Sequence, residues 1–308
     1  MCLSELITEI RQAYDGQYAG SLSGQAVRKV QFSGYIRIIR PANSVVAGFA
    51  AVIGYIIATG TLVPEAFLLW LVVLLVTGAG NVINDWCDVE IDRVNRPGRP
   101  IPSGQVSRQG ALAFAMVLFG AGILVSIFTT PLCAAIAVIN SGVLVLYAFS
   151  LKKTAFLGNL AVSYLAGSIF LFGGALAGMD GLVHAAPVFL ITLLAMVTRE
   201  LLKDAEDVKG DSLQGASTVP IRYGVRSTTV LAFAFILVAL AASLLPVYWW
   251  GLLYFAGIIP VDLFILYSVS RSLSCTDPDC VRRSGAASLL KYGMFASLVV
   301  FLAAALVL

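Results

Sequence analysis

The chain has 308 residues, of which 59% are hydrophobic and 12% are charged, and its formal net charge is +3. Soluble domains carry about 25% charged residues, so this composition cannot cover a water-facing surface and indicates that lipid contacts most of the molecule. It excludes a soluble enzyme and a disordered chain, and the small net charge excludes a nucleic-acid-binding module.

The first 43 residues are predicted to form a cytoplasmic segment, separate from a membrane domain over residues 44–308. The segment lacks the apolar middle and small-residue cleavage site of a signal peptide. Leu3, Leu6, Ile7 and Ile10 recur at helical spacing. They predict a short amphipathic helix that packs on the protein or lies at the membrane interface.

Nine apolar stretches follow, each close to the roughly 20 residues that a helix needs to cross the hydrocarbon core. Their predicted bounds are Ser44–Thr61, Glu65–Asn84, Ala111–Thr130, Leu132–Ser150, Leu160–Met179, Ala186–Leu202, Thr228–Leu245, Trp249–Val269 and Ala286–Leu308. The runs are continuous and do not alternate with polar residues, which favours helices over a β-barrel. The predicted fold is all-α, a polytopic bundle of nine transmembrane helices.

The basic residues predict the orientation of this bundle. All 20 Lys and Arg residues lie in the N-terminal segment or around the connections that follow even-numbered spans, and the turns after odd-numbered spans contain none. Short cytoplasmic loops are enriched in positive charge. The N-terminus is therefore predicted to be cytoplasmic and the C-terminus to lie outside.

A pattern of three aspartates occurs twice, near the ends of the second and sixth predicted spans. The first copy is Asp85, Asp88 and Asp92, and the second, 119 residues later, is Asp204, Asp207 and Asp211. The tetrapeptide at residues 112–115 recurs at 231–234 with the same offset. The offset spans four helices, so the pattern predicts a parallel pseudo-repeat with both acidic segments at the cytoplasmic end.

The spacing within each copy predicts a metal site. Positions i, i+3 and i+7 share one helical face, so two such faces can gather six carboxylates. Like charges repel, and a divalent cation removes that conflict. Oxygen ligands without His or Cys favour a hard ion such as Mg²⁺, and the number of carboxylates predicts two ions that bridge a diphosphate. One acidic segment alone would fit a solvated interfacial face, but its duplication favours the shared site.

The motifs resemble those of a known family. Asn84-Asp85-x-x-Asp88-x-x-x-Asp92, with the loop that follows it to Gly104, resembles the first aspartate-rich motif of the UbiA superfamily of intramembrane prenyltransferases. The second aspartate segment, residues 40–43 and residues 147–153 also match, so the resemblance covers nearly the whole chain from about Arg37. It implies nine helices around a central cavity, Mg²⁺ held by both motifs, and transfer of a prenyl group from its diphosphate to an acceptor.

The resemblance also implies roles for individual residues. The implied metal ligands are Asn84, Asp88, Asp92, Asp207 and Asp211, with Asp85 and Asp204 as further ligands or as neighbours that orient them. Of these, Asp88, Asp92, Asp207 and Asp211 are the implied catalytic residues. The implied substrate-binding residues are Arg40, Asn43, Tyr147, Lys152, Lys153 and Lys203. Each basic residue could instead anchor the chain at the membrane surface.

Within the superfamily, residues 199–211 and 215–220 are most similar to archaeal geranylgeranylglyceryl-phosphate geranylgeranyltransferases. This similarity implies that a geranylgeranyl group is transferred to the hydroxyl of geranylgeranylglyceryl phosphate, forming the second ether bond of archaeal membrane lipids. The expected partners are a prenyl diphosphate, a lipid-like acceptor and the bilayer, with no obligate protein partner. The proton acceptor stays open between an aspartate and the released diphosphate.

Three alternatives fit part of the pattern. A prenyltransferase acting on an aromatic quinone precursor shares some of the same motifs. An ion or phosphate transporter would use intramembrane charge, for which Asp262 in the eighth span is the one candidate; a buried hydrogen bond between helices is the expected role of this residue. A structural scaffold leaves the duplicated aspartates unexplained. Cys275 and Cys280 have no second cysteine pair and no His nearby, so neither a zinc site nor a disulfide is expected.

Overall fold

The computed structural model describes residues 32–213 and 215–307, and the regular elements in these ranges are all helices. The amphipathic helix predicted at Leu3 to Ile10 lies outside the described residues. The α-helices are α1 Phe32–Ile38, α2 Pro41–Thr59, α3 Ala66–Cys87, α4 Val89–Asn95, α5 Arg108–Ser126, α6 Pro131–Phe149, α7 Leu157–Ala175, α8 Gly178–Leu213, α9 Val219–Tyr223, α10 Val225–Ala242, α11 Val247–Ser270, α12 Pro278–Ser284 and α13 Ala286–Val307. A single 3₁₀ turn, Leu151–Lys153, follows α6.

The described part of the chain contains nine helices that are long and apolar enough to cross a membrane, which confirms the predicted spans. Most observed bounds lie within a few residues of the predicted ones. The exception is α8, which has 36 residues where the apolar run predicted a span of less than half that length. Hydropathy detects only the part of a helix that faces lipid, so the polar turns at both ends of α8 gave no signal.

The first aspartate segment differs from the predicted single helix. α3 ends at Cys87, Asp88 has φ −90° and ψ 6°, and α4 begins at Val89. The helix is therefore interrupted at Asp88, and the three aspartates of the first copy are divided between α3, the turn and α4. The second copy lies wholly within α8 and keeps the continuous helix that the spacing predicts.

The described bundle has four apolar cores, and the two with the most buried residues lie in different groups of helices. One apolar core joins α2, α3, α6 and α7, and another joins α8, α10, α11 and α13. Glycines allow close approach between neighbouring helices: a Cβ on Gly173 of α7 would overlap the backbone of Ala51 and Tyr55 in α2, and one on Gly174 would overlap the backbone of Gly181 in α8. Small residues at such crossings are how helices associate in lipid, where hydrophobic burial contributes little.

Two further expectations can be compared with the structure. Asp262 accepts a hydrogen bond from Ser243 Oγ at 2.5 Å, which confirms that it makes a buried contact between α10 and α11. The expectation for Cys275 and Cys280 was wrong, because the two residues form a disulfide between α11 and α12. Asp277 caps α12 by accepting from the Cys280 amide, and this turn brings the two Cα atoms within 5.4 Å, a normal separation for a disulfide.

Candidate active site

A polar cavity of about 610 Å³ lies at the acidic end of the bundle, defined here as the end that carries both aspartate segments. Its size is within the range of roughly 300–1,000 Å³ that is typical of small-molecule sites. The charged and amide residues in its wall are Arg40, Asn84, Asp88, Asp92, Asn95, Arg96, Arg99, Lys152, Asn159, Glu200, Lys203, Asp204 and Asp211. The cavity thus brings together residues from both aspartate segments and from four connections of the chain.

The two deepest carboxylates of the site belong to the first segment. Asp85 and Asp92 have 3% and 4% of their surface exposed. Arg99 donates to both, at 3.1 Å and 2.5 Å, and Arg40 donates to Asp85 at 2.6 Å. A buried carboxylate requires such compensation, because its desolvation would otherwise be very costly. Part of the negative charge of this motif is therefore neutralised by the protein itself.

Arg40 is held in an unusual backbone conformation. Its φ of 51° and ψ of 67° lie in the left-handed region, which costs a residue with a side chain about 1 kcal/mol. The residue stands between α1 and Pro41, the first residue of α2, and its guanidinium bonds Asp85. Strain of this kind persists where surrounding contacts hold it and is concentrated at functional sites.

Lys152 connects the loop after α6 to the first aspartate segment. Its ammonium forms an ion pair with Asp88 and donates to Asn84 Oδ1 at 3.4 Å. The 3₁₀ turn after α6 places this lysine over the cavity, and Tyr147, in the last turn of α6, also contributes to the wall. The side chain of Lys153 lies outside the described part of the structure.

The second aspartate segment is arranged differently. Asp204 accepts a hydrogen bond from the Asn159 amide at 2.8 Å and, like Asp211, lines the cavity. The side chain of Asp207 is 62% exposed and lies 3.6 Å from the Arg282 guanidinium. Asp204 and Asp211 are seven positions apart and therefore point in nearly the same direction, whereas Asp207 points to one side of them.

The structure brings most of the sequence-predicted site residues together. Those in the cavity wall are Arg40, Asn84, Asp88, Asp92, Tyr147, Lys152, Lys203, Asp204 and Asp211. Three others lie elsewhere. Asp85 is beneath Arg40 and Arg99, Asp207 is beside the cavity on the exposed side of α8, and Asn43 is exposed at the start of α2.

Among the site residues to which sequence reasoning assigned no role, three make contacts that bear on the chemistry. Arg99 contacts two buried aspartates, Asn159 orients Asp204, and Glu200 lines the cavity while pairing with Arg199 at 2.9 Å. Asn159 carried a usable signal, since an amide in the first turn of an apolar span is costly unless it has a polar partner. Arg99 and Glu200 gave no such signal, because many other charged residues lie at the same end of the bundle.

The residues of the cavity fit a hard divalent cation that arrives with its substrate. Among residues 32–213 and 215–307, no three His, Cys, Asp or Glu side chains form a preformed metal site. The metal-binding atoms that the described wall offers are carboxylate, amide and hydroxyl oxygens, with no thiolate or imidazole among them. Mg²⁺ commonly takes one or two carboxylates and completes its shell with water and phosphate oxygens, so it does not need a complete protein cage.

An apolar chamber of about 170 Å³ lies deeper in the first group of helices. This first apolar chamber is walled by α2, α3, α6 and α7, including Ala47, Val76, Ala137 and Ile169. Its wall also includes Leu144, one turn before Tyr147 of the polar cavity. A polar space suited to an anion therefore has an apolar space close to it.

Comparison with known proteins gives a consistent result. The model of the UbiA prenyltransferase family matches residues 45–299. The digeranylgeranylglyceryl phosphate synthase of Methanoculleus marisnigri is 59% identical over 276 residues, which are 89% of this chain and 99% of that protein.

Solved structures are also similar. A structure from work on digeranylgeranylglyceryl phosphate synthase in membranes has a TM-score of 0.82 and 34% identity, covering 90% of this chain and 99% of that one. A UbiA homologue from Archaeoglobus fulgidus, bound to GPP and Mg²⁺, has a TM-score of 0.60 and 14% identity, covering 86% of this chain and 99% of that one. At this low identity, the similarity to the Archaeoglobus fulgidus structure shows a shared fold only.

Proposed function

The chain belongs to the UbiA prenyltransferase family, and on that premise we propose that it transfers a geranylgeranyl group from its diphosphate to the hydroxyl of geranylgeranylglyceryl phosphate. The product carries the second ether bond of an archaeal membrane lipid. The protein is an integral membrane enzyme, an intramembrane prenyltransferase. The observation that carries the choice of acceptor is the 59% identity to a digeranylgeranylglyceryl phosphate synthase across nearly all of that protein.

The polar cavity has the charges that this reaction requires. The C–O bond of an allylic diphosphate breaks more readily when the negative charge on the leaving group is neutralised. Lys152, Arg40 and Arg99 present cations to the cavity, and their own carboxylate partners keep them in place. Mg²⁺, when bound, would supply the remaining positive charge to the departing diphosphate.

We assign the cation ligands to the acidic residues of the cavity wall. Asn84, Asp88 and Asp92 would contribute from the first segment, and Asp204 and Asp211 from the second. Asp207 lies at the edge of the cavity and would join after rotation of its side chain. The number of carboxylates would suit two ions, which would neutralise negative charge on the diphosphate.

The acceptor hydroxyl forms the new ether bond at the carbon that the diphosphate leaves. Its proton passes either to a carboxylate of the wall, for which Glu200 and Asp204 are positioned, or to the departing diphosphate. Tyr147 also lines the cavity, where its ring can shield the developing allylic cation from water. These steps need no group beyond those named.

We further propose that the acidic end faces the cytoplasm, with the N-terminus on the same side and the C-terminus outside. The basic residues of α1, of the loop after α4 and of the turn after α6 all lie at this end. Retention of positive residues on the cytoplasmic side supports this orientation.

The test is an assay of the purified protein in lipid nanodiscs with geranylgeranyl diphosphate and geranylgeranylglyceryl phosphate. We expect the digeranylgeranyl product with Mg²⁺ and no product with EDTA, because the leaving group then keeps its charge. A parallel reaction offers an aromatic quinone precursor in place of the lipid. Turnover of the aromatic acceptor alone would contradict the proposed acceptor, and turnover in EDTA would contradict the metal.

A further inference from the structure

Another apolar space of the described bundle lies mainly in the other group of helices. This second apolar chamber, of about 350 Å³, is walled by α7, α8, α10, α11 and α13. Phe170, Ala239, Ile258, Leu298 and Phe301 contribute to its apolar wall. Its volume, like that of the polar cavity, is within the range of small-molecule sites.

The two apolar chambers are separate. They share no wall residue, and α7 stands between them, with Ile169 in the wall of the first chamber and Phe170 in the wall of the second. Ser243 and Asp262 also line the second chamber, but they are hydrogen-bonded to each other. Most of this wall is therefore suited to a hydrocarbon.

Two cations contribute to the wall of the second chamber. Arg199 and Lys291 both line it, and each lies toward the acidic end of its helix. The Arg199 guanidinium donates from Nη1 to Glu200, which belongs to the wall of the polar cavity. Arg199 therefore stands at the boundary between the second chamber and the polar cavity.

Arg199 has an unused donor at this boundary. Its Nε is buried and finds no acceptor among the described residues. Lys291 is exposed, and its ammonium lies 5.9 Å from the centre of the Phe295 ring. A buried N–H without an acceptor is costly, and an anionic group between the two cations would satisfy it.

We propose that the second apolar chamber holds the hydrocarbon chain of the lipid acceptor, with the acceptor's phosphate bound by Arg199 and Lys291. This inference rests on the proposed function, in which two substrates each carry a long chain into one reaction. Two such chains need separate apolar spaces if both head groups are to meet in the polar cavity. The first chamber then accommodates the chain of the prenyl diphosphate.

Two matched substitutions test the assignment of the chambers. Ala239 and Ala137 are buried alanines, 2% and 3% exposed, in the walls of the second and first chambers respectively. We expect Ala239→Phe to raise the KM for geranylgeranylglyceryl phosphate by at least about tenfold and to change that for the prenyl diphosphate by less than about twofold. Ala137→Phe should have the opposite pattern. Equal effects of Ala239→Phe on both substrates would overturn the proposal.

Labelling of the unmodified protein gives a readout that does not depend on how these variants fold. An acceptor analogue with a diazirine at the end of its chain is photolysed on the protein in nanodiscs, and the labelled peptides are mapped by mass spectrometry. We expect labels on α7 at Phe170 and on α13 at Leu298 or Phe301. Labels confined to α2, α3 and α6, or labels removed equally well by an uncharged diether lipid, would overturn the proposal.

The phosphate assignment has its own test. Arg199→Gln and Lys291→Gln should each raise the KM for the phosphorylated acceptor by about tenfold. They should leave the KM for an acceptor with a free glycerol head group within about twofold. Equal changes for both acceptors would overturn the phosphate site.

The failure of the proposed function and the failure of the chamber assignment are distinguishable. If the unmodified enzyme forms no product from geranylgeranylglyceryl phosphate, the proposed function fails. If it forms product and the labels lie elsewhere, only the chamber assignment fails.

Discussion

The two aspartate segments have the same spacing but are held in different ways. In the first, the chain turns at Asp88, and Asp85 and Asp92 are buried beneath Arg40 and Arg99. In the second, one continuous helix carries all three aspartates, and Asp207 remains exposed. Asp204 has a neutral donor, Asn159, where its counterpart Asp85 has two guanidinium groups.

The difference indicates that the two aspartate segments have different roles. Cations from the connection before α2, the loop after α4 and the turn after α6 already offset the charge of the first segment. Under the proposed function, that segment would hold positive groups next to the diphosphate. The second segment has carboxylates that the protein compensates less, so under the proposed function it would depend more on bound metal. Repeated sequence therefore does not imply repeated chemistry, because the loops that meet each copy are different.

The largest expected effect is at Asp88, where the turn places a carboxylate between Asn84 and Lys152. We expect Asp88→Ala to lower kcat/KM by about 1,000-fold, which corresponds to roughly 4 kcal/mol of transition-state stabilisation. The matched control is Glu90→Ala, which removes an exposed acid paired with Arg93 in the same region. Steady-state rates in nanodiscs measure both variants, and a near-normal rate for Asp88→Ala would contradict the assignment of the first segment to the site.

The second expected effect is on stability. Arg99→Gln leaves Asp92 without the cation that contacts it at 2.5 Å, and an uncompensated buried charge costs about 3 kcal/mol. The control, Arg93→Gln, breaks an exposed pair and should cost less than about 1 kcal/mol. Thermal unfolding in one detergent compares the two variants. Equal melting temperatures would show that the burial of Asp85 and Asp92 does not depend on Arg99.

The smallest expected effect distinguishes an aspartate of the second segment from a nearby surface aspartate. Asp207 and Asp279 are 62% and 52% exposed, and both lie near Arg282, at 3.6 Å and 3.8 Å. Asp207→Asn should raise the Mg²⁺ concentration for half-maximal activity by about tenfold, since it removes a carboxylate beside the cavity. Asp279→Asn should leave that concentration within about twofold. A metal titration in which the two variants behave alike would assign Asp207 to the surface.

Much of the fold was predictable from hydropathy alone. The spans were found because lipid-facing helices need long apolar runs, and the described residues confirm all nine. The polar ends of α8 and the turn at Asp88 were not predicted. A helix that faces water and a turn both consist of polar residues, so hydropathy does not distinguish them. The disulfide between Cys275 and Cys280 was missed for a similar reason, since a five-residue separation does not reveal the turn that joins the two residues.

The site was predictable only in outline. Duplicated aspartates and the basic residues near them indicated which end of the bundle carries the chemistry. The role of Arg99 depends on the fold of a loop that returns to two aspartates earlier in the chain. The second apolar chamber depends on five helices that lie far apart in sequence, so no local pattern could indicate it.

The sequence by itself determined the solvent of this protein, the number of its spans and the end that carries its charges, because transfer into lipid depends on composition summed over about 20 residues at a time. Tertiary structure alone decided which aspartates are neutralised, which face the cavity and where two hydrocarbon chains could lie. Those outcomes depend on distances of a few ångströms between groups from different helices, since charge compensation and close packing both act over that range.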